Sequence, residues 1–228
     1  MQSWAILQFP GSNSDRDAFQ AAARVPNVRV EMLWHDQPIE KNKYDVIMIP
    51  GGFSFGDYLR AGAIAKLSTA MASLSDAVEA GAHVIGICNG FQILLESRLL
   101  PGILQVNKGF KFISRMEECE VKSEAFPWFA KEDIGRKFRF PIAHRFGNYQ
   151  VKDLDRFEMQ AALVYQNNPN GSFQSLAGIY RKLGKGSLFG LMPHPERVSH
   201  PDQPVHDGAD LWLQASKRLA AVSSESVV

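Results

Sequence analysis

The chain has 228 residues, 45% of them hydrophobic, and its 25 basic and 24 acidic side chains leave a net charge of +1. That length can bury a real core as one large α/β domain or two small ones, and the near-neutral balance leaves no electrostatic footprint for a nucleic acid or an anionic membrane. Two cysteines, Cys88 and Cys119, make neither a zinc cluster nor a disulfide framework; with no signal-peptide pattern at Met1-Gln2-Ser3-Trp4 and no apolar run near the ~18 residues of a membrane span, a soluble, reducing, cytoplasmic setting is expected.

In chain order, Ala5–Phe9 reads as a first strand and Pro10-Gly11-Ser12-Asn13 as a turn, with Ser14 or Asp15 capping a helix through Arg24. Val28–Leu33 alternates like a second strand, and Asp45–Ile49 is a third, almost wholly apolar, ended by Pro50-Gly51-Gly52. An alanine-rich stretch predicts a helix over Leu59–Ala80, and Val84–Ile87 has the length of a buried strand. Strand and helix alternating in this way imply an α/β fold: a mostly parallel central sheet with flanking helices and right-handed crossovers. In such sheets the ligand site lies outside the carboxyl ends of the strands, which puts Pro50-Gly51-Gly52 and Cys88 on one rim.

After Leu100 the texture changes to short strand candidates between charged turns: Lys111–Ser114, Glu120–Lys122, Lys137–Phe140, Ala161–Tyr165, Gln174–Tyr180 and Ser187–Met192. Asp207–Leu219 reads as a helix with Leu211, Trp212, Ala215 and Leu219 on one side. No internal repeat or low-complexity linker divides the chain, so residues 1–222 are expected to form one domain and residues 223–228 a frayed tail.

The stretch that organises the rest is Gly86-Ile87-Cys88-Asn89-Gly90-Phe91-Gln92, where an apolar strand turns abruptly into helical spacing. Such an elbow lifts a nucleophile clear of the sheet, and glycines two residues to either side let neighbouring backbone pass close to the turn. The helix begins beneath the sulfur, and its positive end favours the thiolate. The competing reading is a small apolar cysteine ending a core strand. Far downstream, Met192-Pro193-His194-Pro195-Glu196 leaves another apolar run, with two prolines limiting the freedom of a histidine and a carboxylate. Glu196 stands where it can hold the His194 tautomer for a thiol nucleophile; otherwise this is a solvated turn.

Pro50–Asp57 lacks the Gly-Lys-Ser/Thr ending of a phosphate loop. It reads better as backbone approaching a substrate, with the Gly52 and Asn89 N–H groups as an oxyanion hole; an ordinary turn is the alternative. The local basic residues Lys108, Lys111, Arg136, Lys137 and Arg139 and the aromatic run Phe126-Pro127-Trp128-Phe129 read first as solvated face and packed loop.

The elbow and the distal His194-Pro195-Glu196 resemble the class I, triad-type glutamine amidotransferases, whose architecture is flavodoxin-like. Phe9-Pro10-Gly11-Ser12-Asn13, Pro50–Ile64 and Asn168-Pro169-Asn170-Gly171-Ser172 narrow the resemblance to the glutaminase subunits of phosphoribosylformylglycinamidine synthase, over Trp4–Arg197. The resemblance implies hydrolysis of glutamine to glutamate and ammonia by Cys88, His194 and Glu196 through a thioester, and contact of Gln92 and the His144 segment with glutamine. It also implies ammonia delivery to a large synthetase subunit with a small accessory subunit in purine biosynthesis. No cofactor is implied on this chain; ATP and magnesium are expected on the partner. One departure stands out: the family often reads His-Gly-Glu-Gly after Pro-Ile-Ala, whereas Pro141-Ile142-Ala143 is followed here by His144-Arg145-Phe146-Gly147. Arg145 therefore implies either a different loop path or a merely solvated side chain. The rival functions are an intracellular-peptidase-like cysteine hydrolase and a catalytically silent structural subunit.

Overall fold

The structure, a computed structural model, describes residues 1–152 and 159–225. A nine-stranded sheet runs through it. Its parallel half contains β1 (Gln2–Gln8), β2 (Val28–Trp34), β3 (Val46–Ile49), β4 (His83–Ile87) and, late in the chain, β11 (Gly186–Leu191). They lie in the order β2-β1-β3-β4-β11, every neighbouring pair parallel. β3, β4 and β11 are buried at every position, as strands covered on both faces must be, which is why they are almost wholly apolar, with His83 and Ser187 the polar exceptions.

Beyond β11 the sheet continues antiparallel through β10 (Leu176–Leu183), β9 (Met159–Tyr165), β6 (Ile113–Val121) and β7 (Lys137–His144). A separate ribbon pairs β5 (Ile103–Gln105) with β8 (Asn148–Gln150). Among the described residues four α-helices complete the fold: α1 (Asp15–Ala23), α2 (Thr69–Ala80), α3 (Asn89–Glu96) and α4 (Asp207–Glu225). α1 packs with α4, while α2 and α3 lie against β11, and α3 also against β3 and β4. Leu211, Trp212, Ala215 and Leu219 of α4 are buried, and the Trp212 Nε1–H donates to Ser199 Oγ at 2.8 Å.

Several elements differ from the sequence reading. The helix expected over Leu59–Ala80 begins only at Thr69. Leu59 sits at φ 71°, outside helical space, and Ser68 is extended and caps α2 by accepting the Met71 N–H. Lys111–Ser114 and Glu120–Lys122 overlap the two ends of one continuous strand, β6, because the charged residues between them pair in register with β7. The strand expected from Gln174 starts at Leu176, since Gln174 and Ser175 have φ 48° and 60°. α4 runs past Leu219, its expected end, to Glu225; the rest of the expected tail, residues 226–228, lies outside the described residues.

The tightest join in the parallel half is where α3 crosses the end of β3. A Cβ built on Gly90 would stand 2.0 Å from the Ile49 carbonyl oxygen, a backbone atom with no freedom to move aside. Gly90→Ala is therefore expected to lower unfolding free energy by about 1–3 kcal/mol, the usual range for overpacking. Urea denaturation checks this; an unchanged midpoint would show that α3 is free to shift.

Candidate active site

Cys88 stands between β4 and α3. Its N–H donates to the Leu191 carbonyl of β11 at 2.8 Å, and its own carbonyl accepts the Gln92 N–H at 3.1 Å to open the helix. The backbone between these bonds is forced to φ 52°, ψ −101°, a conformation that costs a non-glycine residue of order 1–3 kcal/mol. The thiol points towards the antiparallel half of the sheet, where Sγ lies 4.0 Å from the Ala143 carbonyl oxygen of β7.

His194 and Glu196 follow β11. The His194 N–H donates to the Pro141 carbonyl of β7 at 2.8 Å, which fixes the backbone. The imidazole Nδ1 meets Glu196 Oε1 at 2.6 Å, and both side chains are almost completely buried. Burial pulls the imidazole pKa down, but the Glu196 carboxylate and the Cys88 thiol outweigh it and push the value up to about 9. Among the described residues Nε2 has no hydrogen-bond partner. His194 and Cys88 line one cavity of about 390 Å³, and the thiol is one of the groups that raise the imidazole pKa.

Of the remaining residues proposed from sequence, Gly52, Gln92 and His144 reach the same cavity, whereas Asn89 is buried behind its wall. Arg145 lines the cavity as well. Gly52 has φ +148°, and a Cβ there would approach the Asn13 backbone nitrogen to 2.7 Å, so the Pro50-Gly51-Gly52 turn can follow this path only with glycine. The Asn89 N–H belongs to the first turn of α3, whose amides have no acceptor within the helix.

Asn89 and Gln92 are buried and bonded to each other, the Asn89 amide donating to Gln92 Oε1 at 2.9 Å. Asn89 Oδ1 also accepts the Ser54 N–H at 3.0 Å, and Gln92 Nε2 donates to the Phe146 carbonyl at 3.1 Å. Gln92 is thus no exposed helix residue: it ties α3 to the loop after β7. Arg145 is exposed at the cavity wall, and its carbonyl accepts the Asn107 N–H.

Several participants carry no local signal in the sequence. Ser14, expected as a helix cap, makes no side-chain cap; its Oγ accepts from Arg197 Nη2 at 2.7 Å, and Arg197 lies 3.9 Å from Glu196 Oε1. Asp57 lines the cavity and accepts from Asn89 Nδ2 at 3.3 Å, and its carboxyl pKa is raised by burial. Cys119, by contrast, is fully buried in β6, where burial pushes its thiol well above the usual range. It is core.

The chain matches the family model of the CobB/CobQ-like glutamine amidotransferase domain over residues 2–219. It is 43% identical over 221 residues to the phosphoribosylformylglycinamidine synthase subunit PurQ of Jannaschia sp. (strain CCS1), covering 95% of this chain and 98% of the relative. To the subunit of the same name from Zymomonas mobilis it is 40% identical over 220 residues, with 95% and 99% covered. Among solved structures, a chain of PurLQS from Thermotoga maritima superposes with a TM-score of 0.86 at 36% identity, covering 96% of this chain and 100% of that one. A protein from Thermoplasma acidophilum named for GMP synthase shares the fold at a TM-score of 0.64 and 13% identity, over 100% of this chain and 99% of that one. The chain belongs to the CobB/CobQ-like glutamine amidotransferases and, within them, to the family of phosphoribosylformylglycinamidine synthase subunit PurQ.

Proposed function

We propose that this chain hydrolyses glutamine to glutamate and ammonia and passes the ammonia to a synthetase subunit that makes phosphoribosylformylglycinamidine. The observation that carries the reading is the buried His194–Glu196 pair, whose free Nε2 shares one cavity with the elbow cysteine. His194 takes the Cys88 proton, and the thiolate attacks the side-chain carbonyl carbon of glutamine. The oxygen of the tetrahedral intermediate gathers charge between the Gly52 and Asn89 N–H groups, donors whose removal in other hydrolases costs about 3–4 kcal/mol. His194 gives its proton to the departing nitrogen, which leaves as ammonia and a γ-glutamyl thioester. Water then attacks the thioester as His194 takes one of its protons, and that proton returns as the sulfur leaves glutamate. Glu196 orients the ring and stabilises its cation throughout. Gln92 and the His144 segment shape the wall that meets glutamine, the backbone of the His144 segment facing its amino-acid end.

The partner enters by kinship. The relatives are named as a subunit of a synthase, and the Thermotoga structure contains that subunit within PurLQS. We therefore place ATP and magnesium on a large synthetase subunit, with a small accessory subunit beside it, and read residues 1–222 as one amidotransferase domain. A cytoplasmic setting suits a purine-forming complex, and among the described residues no helix is long and apolar enough to cross a membrane. Phe53, Phe112 and Phe146 line the cavity and are about half exposed, apolar surface that a covering partner would bury.

Cys88→Ala is expected to abolish glutamine-dependent synthesis in the reconstituted complex while the partner's synthesis from added ammonium salt persists. A glutamine-like electrophile should label Cys88 selectively, with glutamine protecting it; labelling without protection would favour a different cysteine hydrolase, and no labelling a silent subunit. The His194 pKa yields a second prediction. Because its folded value lies above the ordinary 6.5, the pair's stabilisation is complete below about pH 6.5 and is lost as pH rises towards about 9. Urea midpoints of the native chain should fall across that window, and Glu196→Gln should flatten the fall. Parallel profiles for the two proteins would show that Glu196 does not hold the proton.

A further inference from the structure

The loop after β7 is tied down by an asparagine that the reaction scheme leaves unused. Asn107, between β5 and β6, is fully buried. Its Nδ2 donates to the carbonyls of Lys111 and His144, both at 2.9 Å. Its Oδ1 accepts the Gly147 N–H at 3.1 Å and lies 3.2 Å from His144 Nδ1. The two carbonyls decide which end of the amide is which, since only the NH₂ group can donate to them. The oxygen must then face the imidazole, and only a proton on Nδ1 completes that contact. His144 is thereby fixed as the Nδ1–H tautomer, with a lone pair on Nε2.

Asn170 secures the loop from the other side, donating to the Gly147 carbonyl at 2.8 Å and accepting from the Ser172 N–H and hydroxyl. The ring packs on Gly147, where a Cβ would come within 2.2 Å of Cε1. Burial, reinforced by the nearby His194, pulls the His144 pKa down to about 4, so the ring is neutral at physiological pH. His144 is 3% exposed and lines the cavity with Cys88 and His194, yet among the described residues its Nε2 has no hydrogen-bond partner. A buried acceptor left unpaired is unfavourable, and a ligand N–H relieves it.

We propose that His144 Nε2 accepts a hydrogen bond from an N–H of glutamine, and that Asn107 is the positioning residue that holds His144 in the tautomer this requires. The inference rests on the glutaminase reading and names the substrate contact within it. Glutamine carries N–H donors at both ends, the carboxamide and the α-ammonium. A protonated His144 would present a donor to either of them.

Long-range ¹H–¹⁵N spectra of histidine-labelled native protein, with the His144 signal assigned by its loss in His144→Gln, test the tautomer without requiring an Asn107 variant to fold. A neutral Nδ1–H ring near pH 7.5 is expected. Adding glutamine to the Cys88→Ala protein should move Nε2 upfield. If 4-carbamoylbutyrate, which lacks the amino group, reproduces the move, the donor is the carboxamide; if only glutamine does, it is the α-ammonium. In the reconstituted complex Asn107→Leu should raise the glutamine KM about tenfold, equivalent to about 1.4 kcal/mol, with a much smaller change in kcat. Asn107→Asp, which keeps an acceptor opposite Nδ1, should recover part of that loss. An Nε2–H tautomer, an Nε2 signal indifferent to both ligands, or an unchanged KM in Asn107→Leu overturns the proposal. A native complex that turns over no glutamine overturns the glutaminase reading instead.

Discussion

Cys88 does not adopt φ 52°, ψ −101° by its own preference; it is held there from both sides. Its N–H is spent on Leu191 in the neighbouring parallel strand, and its carbonyl on the first turn of α3. α3 in turn is pressed so closely onto β3 that only a glycine at position 90 lets the backbones pass. Relaxing the elbow would require giving up a sheet bond, the opening bond of a helix, or the packing of that helix on the core. The fully buried strands β3, β4 and β11 oppose all three. Strain at Cys88 is thus maintained by the burial of the parallel half, and the sulfur's position is a property of the whole layer.

The antiparallel half has a different task, which its outermost strand performs. In β7 the residues Arg139, Pro141 and Ala143 turn their backbone groups away from β6, along the free edge of the sheet. The Arg139 N–H donates to Asp207 at the start of α4, the Pro141 carbonyl accepts from the His194 backbone, and the Ala143 carbonyl faces the Cys88 sulfur at 4.0 Å. An edge strand is normally a liability that a protein must blunt. Here the sheet curls until that edge meets the helix and the two catalytic candidates, so the unpaired backbone groups become the site's wall. Proline suits position 141 because it has no N–H there to leave unsatisfied, while its carbonyl remains available.

These arrangements divide cleanly between what a sequence displays and what it hides. The elbow, the His194-Pro195-Glu196 turn and the Pro50-Gly51-Gly52 turn all sit at strand ends, where apolar runs stop and glycine or proline punctuates them. Each is a local pattern, and the parallel topology then places them on one rim. The continuity of β6 was hidden because Arg115, Glu117 and Glu118 resemble a charged turn until their partners in β7 are known. The late start of α2 was hidden because alanine-rich composition does not reveal Leu59 in left-handed space. Asn107 and Ser14 were hidden for a deeper reason. Their bonds reach His144 and Arg197, 37 and 183 residues away, and no spacing within the chain marks an asparagine or serine for that work.

Three buried histidines show how far environment, rather than residue type, sets the chemistry. His83, at the opposite end of β4, and His144, in the cavity that Cys88 also lines, are both pulled down to about 4, chiefly by burial. Neither ring nitrogen is hydrogen-bonded to a carboxylate among the described residues: His83 Nδ1 meets Ser187 Oγ at 2.8 Å, the Asp45 charge offsetting only part of the burial, and His144 Nδ1 meets the Asn107 amide. His194 is more deeply buried than either, yet its value rises to about 9 because Glu196 and Cys88 supply the opposing field. One cavity therefore contains an imidazole that readily holds a proton and, beside it, one that resists taking a proton. Groups driven apart in this way can serve as proton carrier and neutral acceptor at the same pH. What separates His194 from His144 is not depth of burial but the charge set against the ring, the Glu196 carboxylate first and the Cys88 thiol second.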